Sequence, residues 1–360
     1  MVAMNNAAAA DFTFAGATGT IFTAIRQNEA STQCGIEYGF ICFAAKLATT
    51  RGHGYLKSHT ILCMKKQFKK IGKPRLLIIG CGDVGMRLLP LLRERFRVFA
   101  LTSQPARAAE LRAAGAIPVI GNLDQPASLR RLNGLAQWVV HLAPPKAEGE
   151  TDSRTRNLAA ILPDKCRLVY VSTTGVYGDC GGAEFDECRP VAPQNARAIR
   201  RVAAENLLRD WARAAQSRLS ILRVPGIYAA DRLPLERLRK GAPALIEAED
   251  VYTNHIHADD LASLIRLALF RSKPLRVYHA VDGSDLKMAD YFDLVADQFS
   301  LPRSPRLTRA ELMQQVSPVQ LSFMSESRRL DNQRIRRELG MRLRYPDVQA
   351  GVAAARAELA

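Results

Sequence analysis

Between about residue 75 and residue 281 the apolar positions gather into short unbroken runs: Leu76–Ile79, Arg97–Thr102, Ile117–Ile120, Trp138–Leu142, Leu168–Ser172, Leu219–Arg223 and Val277–Val281. An unbroken run, in contrast to an alternating one, marks a strand buried on both faces, which is the habit of parallel sheets covered by helices. Stretches with apolar residues at helical spacing lie between the runs: Met86–Phe96, a segment ending near Ala114, 153–162, 197–213 and Met288–Phe299, with a stop at Pro302. Strand and helix therefore alternate, and the pattern predicts an α/β fold of the Rossmann type, a doubly wound parallel sheet with a smaller C-terminal substrate lobe. Pro90 should kink the first of these helices, because proline removes a backbone hydrogen bond.

Residues 1–64 break the pattern, being rich in Ala, Thr, Gly and Asn with one short apolar patch from Tyr38 to Ala45. They lack the basic start of a secretory signal, since the first basic residue is Arg26. Three divisions are expected: an extension over 1–72 without stable structure, a dinucleotide-binding Rossmann domain over 73–225, and a mainly substrate-binding lobe over 226–360 that returns some strands to the sheet.

The chain has 360 residues, 48% of them hydrophobic and 24% charged, which suits a water-soluble globule with an ample core. No run of about 18 apolar residues appears, so no membrane association is expected. The formal charge of +16 is uneven. Residues 65–74 hold five lysines and no acid, and much of the rest is on arginine-rich helices such as 197–213 and 328–344. No nucleic-acid motif accompanies that charge, so a solvated basic surface is expected and nucleic acid is not an expected partner. Seven cysteines, at 34, 42, 63, 81, 166, 180 and 188, form no C-x-x-C pair and have no histidines at zinc spacing. Reduced thiols in a cytoplasm are the expectation, with no metal.

Candidate chemistry begins at the end of the first run, which leads directly into Gly80-x-Gly82-x-x-Gly85. In a strand-turn-helix context the three glycines allow a tight turn, let backbone approach a pyrophosphate, and let the helix pack closely on the strand. The phosphates would sit on the helix N-terminus, among the amides that include Asp83 and Val84. The second run ends in Thr102-Ser103-Gln-Pro-Ala-Arg107, with no acid between Phe96 and Ala109 to hold a ribose 2′-hydroxyl. Thr102 and Ser103 can donate to a 2′-phosphate and Arg107 can neutralise it, so NADP is preferred over NAD. Asn122 and Leu123 after the third run, and Leu142, Ala143 and Pro144 after the fourth, stand where strand ends line a cofactor crevice.

Four ordered motifs carry a family resemblance: GCGDVG, YVSTTGVYG, RVPGIY at Arg223–Tyr228, and NHIHADDLA at Asn254–Ala262. Together they resemble the extended, and within it the atypical, short-chain dehydrogenases/reductases, in the branch labelled NAD-dependent epimerase/dehydratase. The resemblance covers about residues 73–350 and implies an NAD(P)-binding Rossmann lobe with hydride transfer on a small hydroxyl or carbonyl substrate, sugar-derived in many members. It places the catalytic hydroxyl at Thr173, with Ser172 as a neighbour able to share the task. It expects a tyrosine at Arg197 and a lysine at Arg201, and both are arginine here. An arginine cannot act as the acid or base, so Arg197 is left as an electrophile or anion clamp, while Arg201 retains donors for ribose hydroxyls. Tyr177 offers a phenol, although the family uses that ring as scaffold. The dehydratase subgroup has an Asp-Glu pair after the threonine, and Thr174-Gly175 stands there instead, which argues against sugar dehydration. Two functions stay open: an oxidoreductase/epimerase, and an NADP-binding protein without turnover that reports redox state. The resemblance also suggests a homodimer paired through long helices, including 195–213.

Overall fold

The computed structural model describes residues 72–317, 321–322 and 324–359, together with three short strands, Phe12–Ala15, Ile21–Ala24 and Ala44–Ala45, that pair antiparallel in that order. The expectation of an unstructured extension, and Cys34, Cys42 and Cys63, otherwise lie outside the described residues. The chain divides into two compact units, Met1–Gly72 and Lys73–Ala360. The second holds all the motifs above.

Its centre is a seven-stranded sheet of β1 (Arg75–Ile79), β2 (Arg97–Thr102), β3 (Ile117–Ile120), β4 (Trp138–His141), β5 (Arg167–Thr173), β6 (Arg218–Val224) and β7 (Arg276–His279). The spatial order is β7-β6-β5-β4-β1-β2-β3, and each neighbouring pair is parallel. The helices are α1 (Asp83–Leu92), α2 (Ala108–Ala113), α3 (Ser153–Ala159), α4 (Ala196–Ala214), α5 (Leu235–Arg239), α6 (Ala258–Arg271), α7 (Met288–Gln298) and α8 (Arg309–Gln315), followed by two more at Gln333–Leu339 and Val348–Leu359. The chain moves outward from β1 to β3, then returns to β1's other side at β4. The sheet order therefore reverses between β1 and β4, where a crevice opens at the strands' carboxyl ends.

The unbroken runs are explained by burial on both sides. Alternate residues of β1 go to opposite faces. Leu76 and Ile78 join Leu88 and Leu92 of α1 and Leu261 and Ile265 of α6. Leu77 and Ile79 join Leu129, Leu158 and, from α4, Leu208. A third core of Tyr228, Leu245, Phe292, Val295, Leu312 and Val352 belongs to the smaller C-terminal lobe, built on α5, α7, α8 and Val348–Leu359. β7 then returns from sequence beyond the lobe's first elements to the sheet edge.

Local details differ from the pattern for identifiable reasons. The first helix starts at Asp83, three residues before Met86, because the glycine turn feeds it directly. It runs through Pro90 and stops at Leu92, so the lost amide falls in its last turn, where Arg93 N closes on Leu89 O at 3.0 Å. Asp259 and Asp260 stand at the start of α6, where acids commonly cap a helix, but neither caps it. His257 Nδ1 takes that place, accepting from Asp259 N at 3.2 Å, whereas Asp260 accepts from Arg344 N and Tyr345 N and Asp259 pairs with Arg87. His255 and His257 are buried in a short strand beside Gly226–Tyr228, and no cluster able to hold a metal occurs among the described residues.

Beneath the carboxyl ends of β5 to β7 runs a chain of buried polar groups. Glu205 on α4 accepts from Arg223 Nε at 3.1 Å and Nη2 at 2.7 Å, and from Ser172 Oγ at 2.7 Å. Arg223 Nη1 donates to Tyr177 Oη at 2.6 Å, and that hydroxyl lies 2.6 Å from His279 Nε2. His279 Nδ1 is 3.0 Å from the Asp331 carbonyl, which can only accept, so Nδ1 carries the proton and Nε2 receives Tyr177's. Burial pushes the Glu205 carboxyl up, but the hydrogen bonds and charge of Arg223, with Ser172, outweigh it and hold the group below its ordinary value. Burial also takes the Tyr177 phenol up to about 12 against the pull of Arg223, and His279 down to about 3. Ser172 and Tyr177 are thus both members of the buried network, with the Ser172 proton directed at Glu205.

Breaking one member of this chain should be costly. Glu205→Leu is expected to lower unfolding free energy by about 3–5 kcal/mol, since Arg223 stays buried and unpaired. Adding Arg223→Leu should restore most of the loss. Urea denaturation of both variants measures this, and a single variant within about 1 kcal/mol of the parent would contradict the account.

Candidate functional site

The crevice between β1 and β4 is a cleft of about 410 Å³. Its floor is the glycine turn, in which each glycine has its own constraint. Gly80 has φ +80°, and a Cβ there would stand 2.7 Å from Ala143 N. Gly82 caps α1 and faces open space, with nothing within 4 Å of where its Cβ would be. Gly85 is pressed against the loop, its Cβ position 2.9 Å from Cys81 Sγ. The first helical bond runs from Met86 N to Gly82 O at 2.8 Å, so the amides of Asp83, Val84 and Gly85 have no partner within the helix. An unobstructed face at Gly82 beside free helix amides fits a pyrophosphate.

Ten of the residues singled out for the cofactor line this cleft: Gly80, Gly82, Thr102, Ser103, Arg107, Asn122, Leu123, Leu142, Ala143 and Pro144. Asp83, Val84 and Gly85 do not, and their contribution is confined to main-chain amides. The Asp83 carboxylate is turned outward, accepting from Arg87 at 2.8 Å and Arg232 at 3.1 Å.

The β2 end is more constrained than its sequence suggests. Thr102 Oγ1 accepts from Gln104 N at 3.1 Å, which holds the turn that presents Ser103. Arg107 reaches back to the glycine turn, with Nη1 donating to Cys81 O at 2.7 Å. Its other edge forms a fork with the Glu110 carboxylate, at 2.9 and 3.0 Å. The cleft wall also includes Arg154, unremarked in the sequence. It forks onto Asp124 at 2.9 and 2.7 Å and so ties the β3 end to the start of α3. The available signal was Asp152, which caps α3 by accepting from Arg154 N at 3.0 Å and thereby puts Arg154 in the first turn after β4.

Thr173, Arg197 and Arg201 lie outside the cleft, further along the same carboxyl edge. Thr173 ends β5, and its Oγ1 accepts from Gly175 N at 3.3 Å. The turn Thr174–Tyr177 packs against the start of α4, which Asn195 caps by accepting from Ala198 N at 2.9 Å. Arg197 sits in that first turn, on the exposed side of the helix. Arg201 is folded onto β5, its Nη1 donating to Tyr170 Oη and Val171 O, both at 3.0 Å.

A family model, the NAD dependent epimerase/dehydratase family, matches residues 76–280, from the glycine turn through β7. The chain belongs to the NAD dependent epimerase/dehydratase family. This is the family that the four motifs implied. Among curated proteins it is similar to the human and bovine dTDP-D-glucose 4,6-dehydratases, at 26% identity over 131 residues in each case. The match covers 34% of this chain and 37% of the human protein, so the chain spans about a third of the length of these relatives. Among solved structures, a conserved protein of unknown function from Silicibacter pomeroyi DSS is 29% identical with TM-score 0.69, covering 79% of this chain and 99% of that one. A UDP-glucose 4-epimerase from Thermotoga maritima, solved with UDP-glucose, is 17% identical with TM-score 0.63, covering 79% and 100%. The dTDP-glucose 4,6-dehydratase DesIV from Streptomyces venezuelae, solved with NAD and TYD, is 21% identical with TM-score 0.64, covering 79% and 96%. The likeness to these last two is one of fold.

The family's glycine turn separates two effects that substitution can read. Gly80→Ala is expected to cost at least about 2 kcal/mol of stability, through positive φ and the Ala143 backbone. Gly82→Ala is expected to fold within about 1 kcal/mol of the parent, because its Cβ enters open space. Thermal melting of the two variants measures the difference, and equal losses would contradict the assignment of separate roles.

Proposed function

We propose that the chain is an NADP-dependent oxidoreductase or epimerase acting on a small hydroxyl or carbonyl substrate, sugar-derived as in its named relatives. The observation that carries the reading is the cleft over Gly82, closed at its far end by Ser103 and Arg107 with no acid on the β2 end itself. Bound there, the coenzyme would supply the hydride. Thr173 has its oxygen occupied by Gly175 N–H, which leaves its own proton to donate to the reacting oxygen. Arg197 cannot exchange a proton near neutral pH, so its part is to stabilise negative charge on substrate. Arg201, tied to Tyr170 and Val171, supports β5 beneath Thr173 and offers its remaining donors to ribose. The C-terminal lobe would hold substrate above these groups. A cytoplasmic homodimer paired through α4 belongs to the same reading.

NADP is favoured over NAD, although DesIV was solved with NAD. Glu110 is part of that balance, because its carboxylate takes one edge of Arg107 and a 2′-phosphate must use the donors that are left. The second reading, a coenzyme-binding protein without turnover, is favoured by one observation, the arginine at 197 in place of a phenol.

Two measurements test the proposal. Arg107→Ala combined with Ser103→Asp should shift the ratio of NADP to NAD affinities toward NAD by at least tenfold, and an unchanged ratio would refute the β2 assignment. The purified chain with NADPH should oxidise it in the presence of at least one member of a panel of aldehydes, ketones and nucleotide sugars. Micromolar coenzyme binding with no oxidation across the panel would leave the sensor reading in its place.

A further inference from the structure

Three carboxylates and two guanidinium groups meet at the start of α1, beside the glycine turn. Arg87 is their hub: Nε donates to Asp83 at 2.8 Å, Nη1 to Asp259 at 2.8 Å and Nη2 to Asp231 at 3.1 Å. Arg232 Nη1 donates to the second Asp83 oxygen at 3.1 Å. The five groups come from three separate parts of the chain. Asp83 and Arg87 belong to α1, and Asp259 lies in the first turn of α6. Asp231 and Arg232 stand in the short helical turn Ala230–Arg232, which packs against the Val348–Leu359 helix of the smaller lobe.

An acid in the first turn suits the helix dipole while the helix end is empty. Asp83 follows Gly82, however, and its own amide is among those left free for a diphosphate. An anion on that amide lies about one side-chain length from the carboxylate, well inside the ~8 Å screening length of physiological salt. The cluster holds three negative charges against two positive, so it is already one negative in excess before a diphosphate arrives. Its tolerance of that anion therefore depends on how fully Asp83 is neutralised. Arg87 is divided among three carboxylates, whereas among the described residues Asp83 is the sole ion-pair partner of Arg232. The Asp83 and Arg232 side chains are 35% and 38% exposed, and a pair so open to water adds little to stability. Its field at the neighbouring amide is the larger consequence.

We propose that Arg232 is a positioning residue for the coenzyme: by pairing with Asp83 it neutralises the one carboxylate of the glycine turn and lets a diphosphate settle on the α1 amides. The inference rests on the reading of the cleft as a dinucleotide site. The site is thereby completed from the segment that leads into the smaller lobe as well as from the strand ends. Because the diphosphate is common to NADP and NAD, the effect falls equally on both, in contrast to that of Arg107.

Calorimetry on the full chain with NADPH and with NADH tests this without turnover. Arg232→Gln should weaken binding of both by at least about threefold and leave their ratio unchanged. In an Asp83→Asn background the same substitution should cost less than about 1.5-fold, because no carboxylate remains to be neutralised. Asp83→Asn alone should bind both coenzymes at least as tightly as the parent, and it gives a second reading should Arg232→Gln fail to fold. A clamp with a purely structural role would change the melting temperature and leave these affinities alone. Unchanged affinity in Arg232→Gln, equal losses in the two backgrounds, or weaker binding by Asp83→Asn overturns the inference while the dinucleotide site stands. A parent chain that binds neither coenzyme refutes the reading of the cleft, and this inference with it.

Discussion

The constraint on which the cleft depends is the approach of the β1–α1 turn to the end of β4. At Gly80 there is no room for even one carbon between the turn and the Ala143 backbone. That contact sets where the first strand stops, and Leu142 N bonding to Ile79 O at 2.8 Å locks the two strand ends together. From it follow the opening of the cleft at the point where the sheet order reverses and the start of α1 directly under the cleft. The bare face of Gly82 then lies where a pyrophosphate can meet unbonded amides. The β2 end of the cleft is built outward from this point by Arg107, which reaches back to the same turn through the Cys81 carbonyl.

The other half of the carboxyl edge is held by a different force. Glu205, Arg223, Tyr177 and His279 form a chain in which each polar group is satisfied by the next, and the chain links α4 to β5, β6 and β7. Through Ser172 it ties the middle of α4 to the strand that ends in Thr173. One side of the edge is thus shaped by close backbone packing and fits a diphosphate, while the other is shaped by a buried, internally paired polar network. The division matches the proposed order of coenzyme and substrate along the crevice.

Much of this was legible in the sequence because period and spacing are local properties. Each strand could be read from its apolar run, because in the inner strands burial on both faces leaves no polar alternation, and the glycine turn could be read from its spacing after the first run. What was hidden depended on partners distant in sequence. Nothing in the segment around Arg107 shows that Glu110 and the Cys81 carbonyl share its guanidinium, and Ser172 reads as a free hydroxyl until Glu205, 33 residues later, is brought beneath it. Asp259 and Asp260 look like helix caps by position, yet His257 takes that bond because the preceding short strand turns its ring inward. Arg154 carries no local sign of its role for a related reason: its place in the cleft follows from the cap at Asp152 and from Asp124 across the crevice.

The central claim is that a dinucleotide lies on the main-chain amides of the first turn with its adenosine end between the β2 and β3 loops. Hydrogen–deuterium exchange of the full chain, with and without saturating NADPH, tests it most directly. The account predicts slowed exchange at residues 81–85, 103–107 and 121–123, with little change in the outer helices of the C-terminal lobe. Unchanged exchange across the glycine turn under conditions where the coenzyme is in large excess would contradict it.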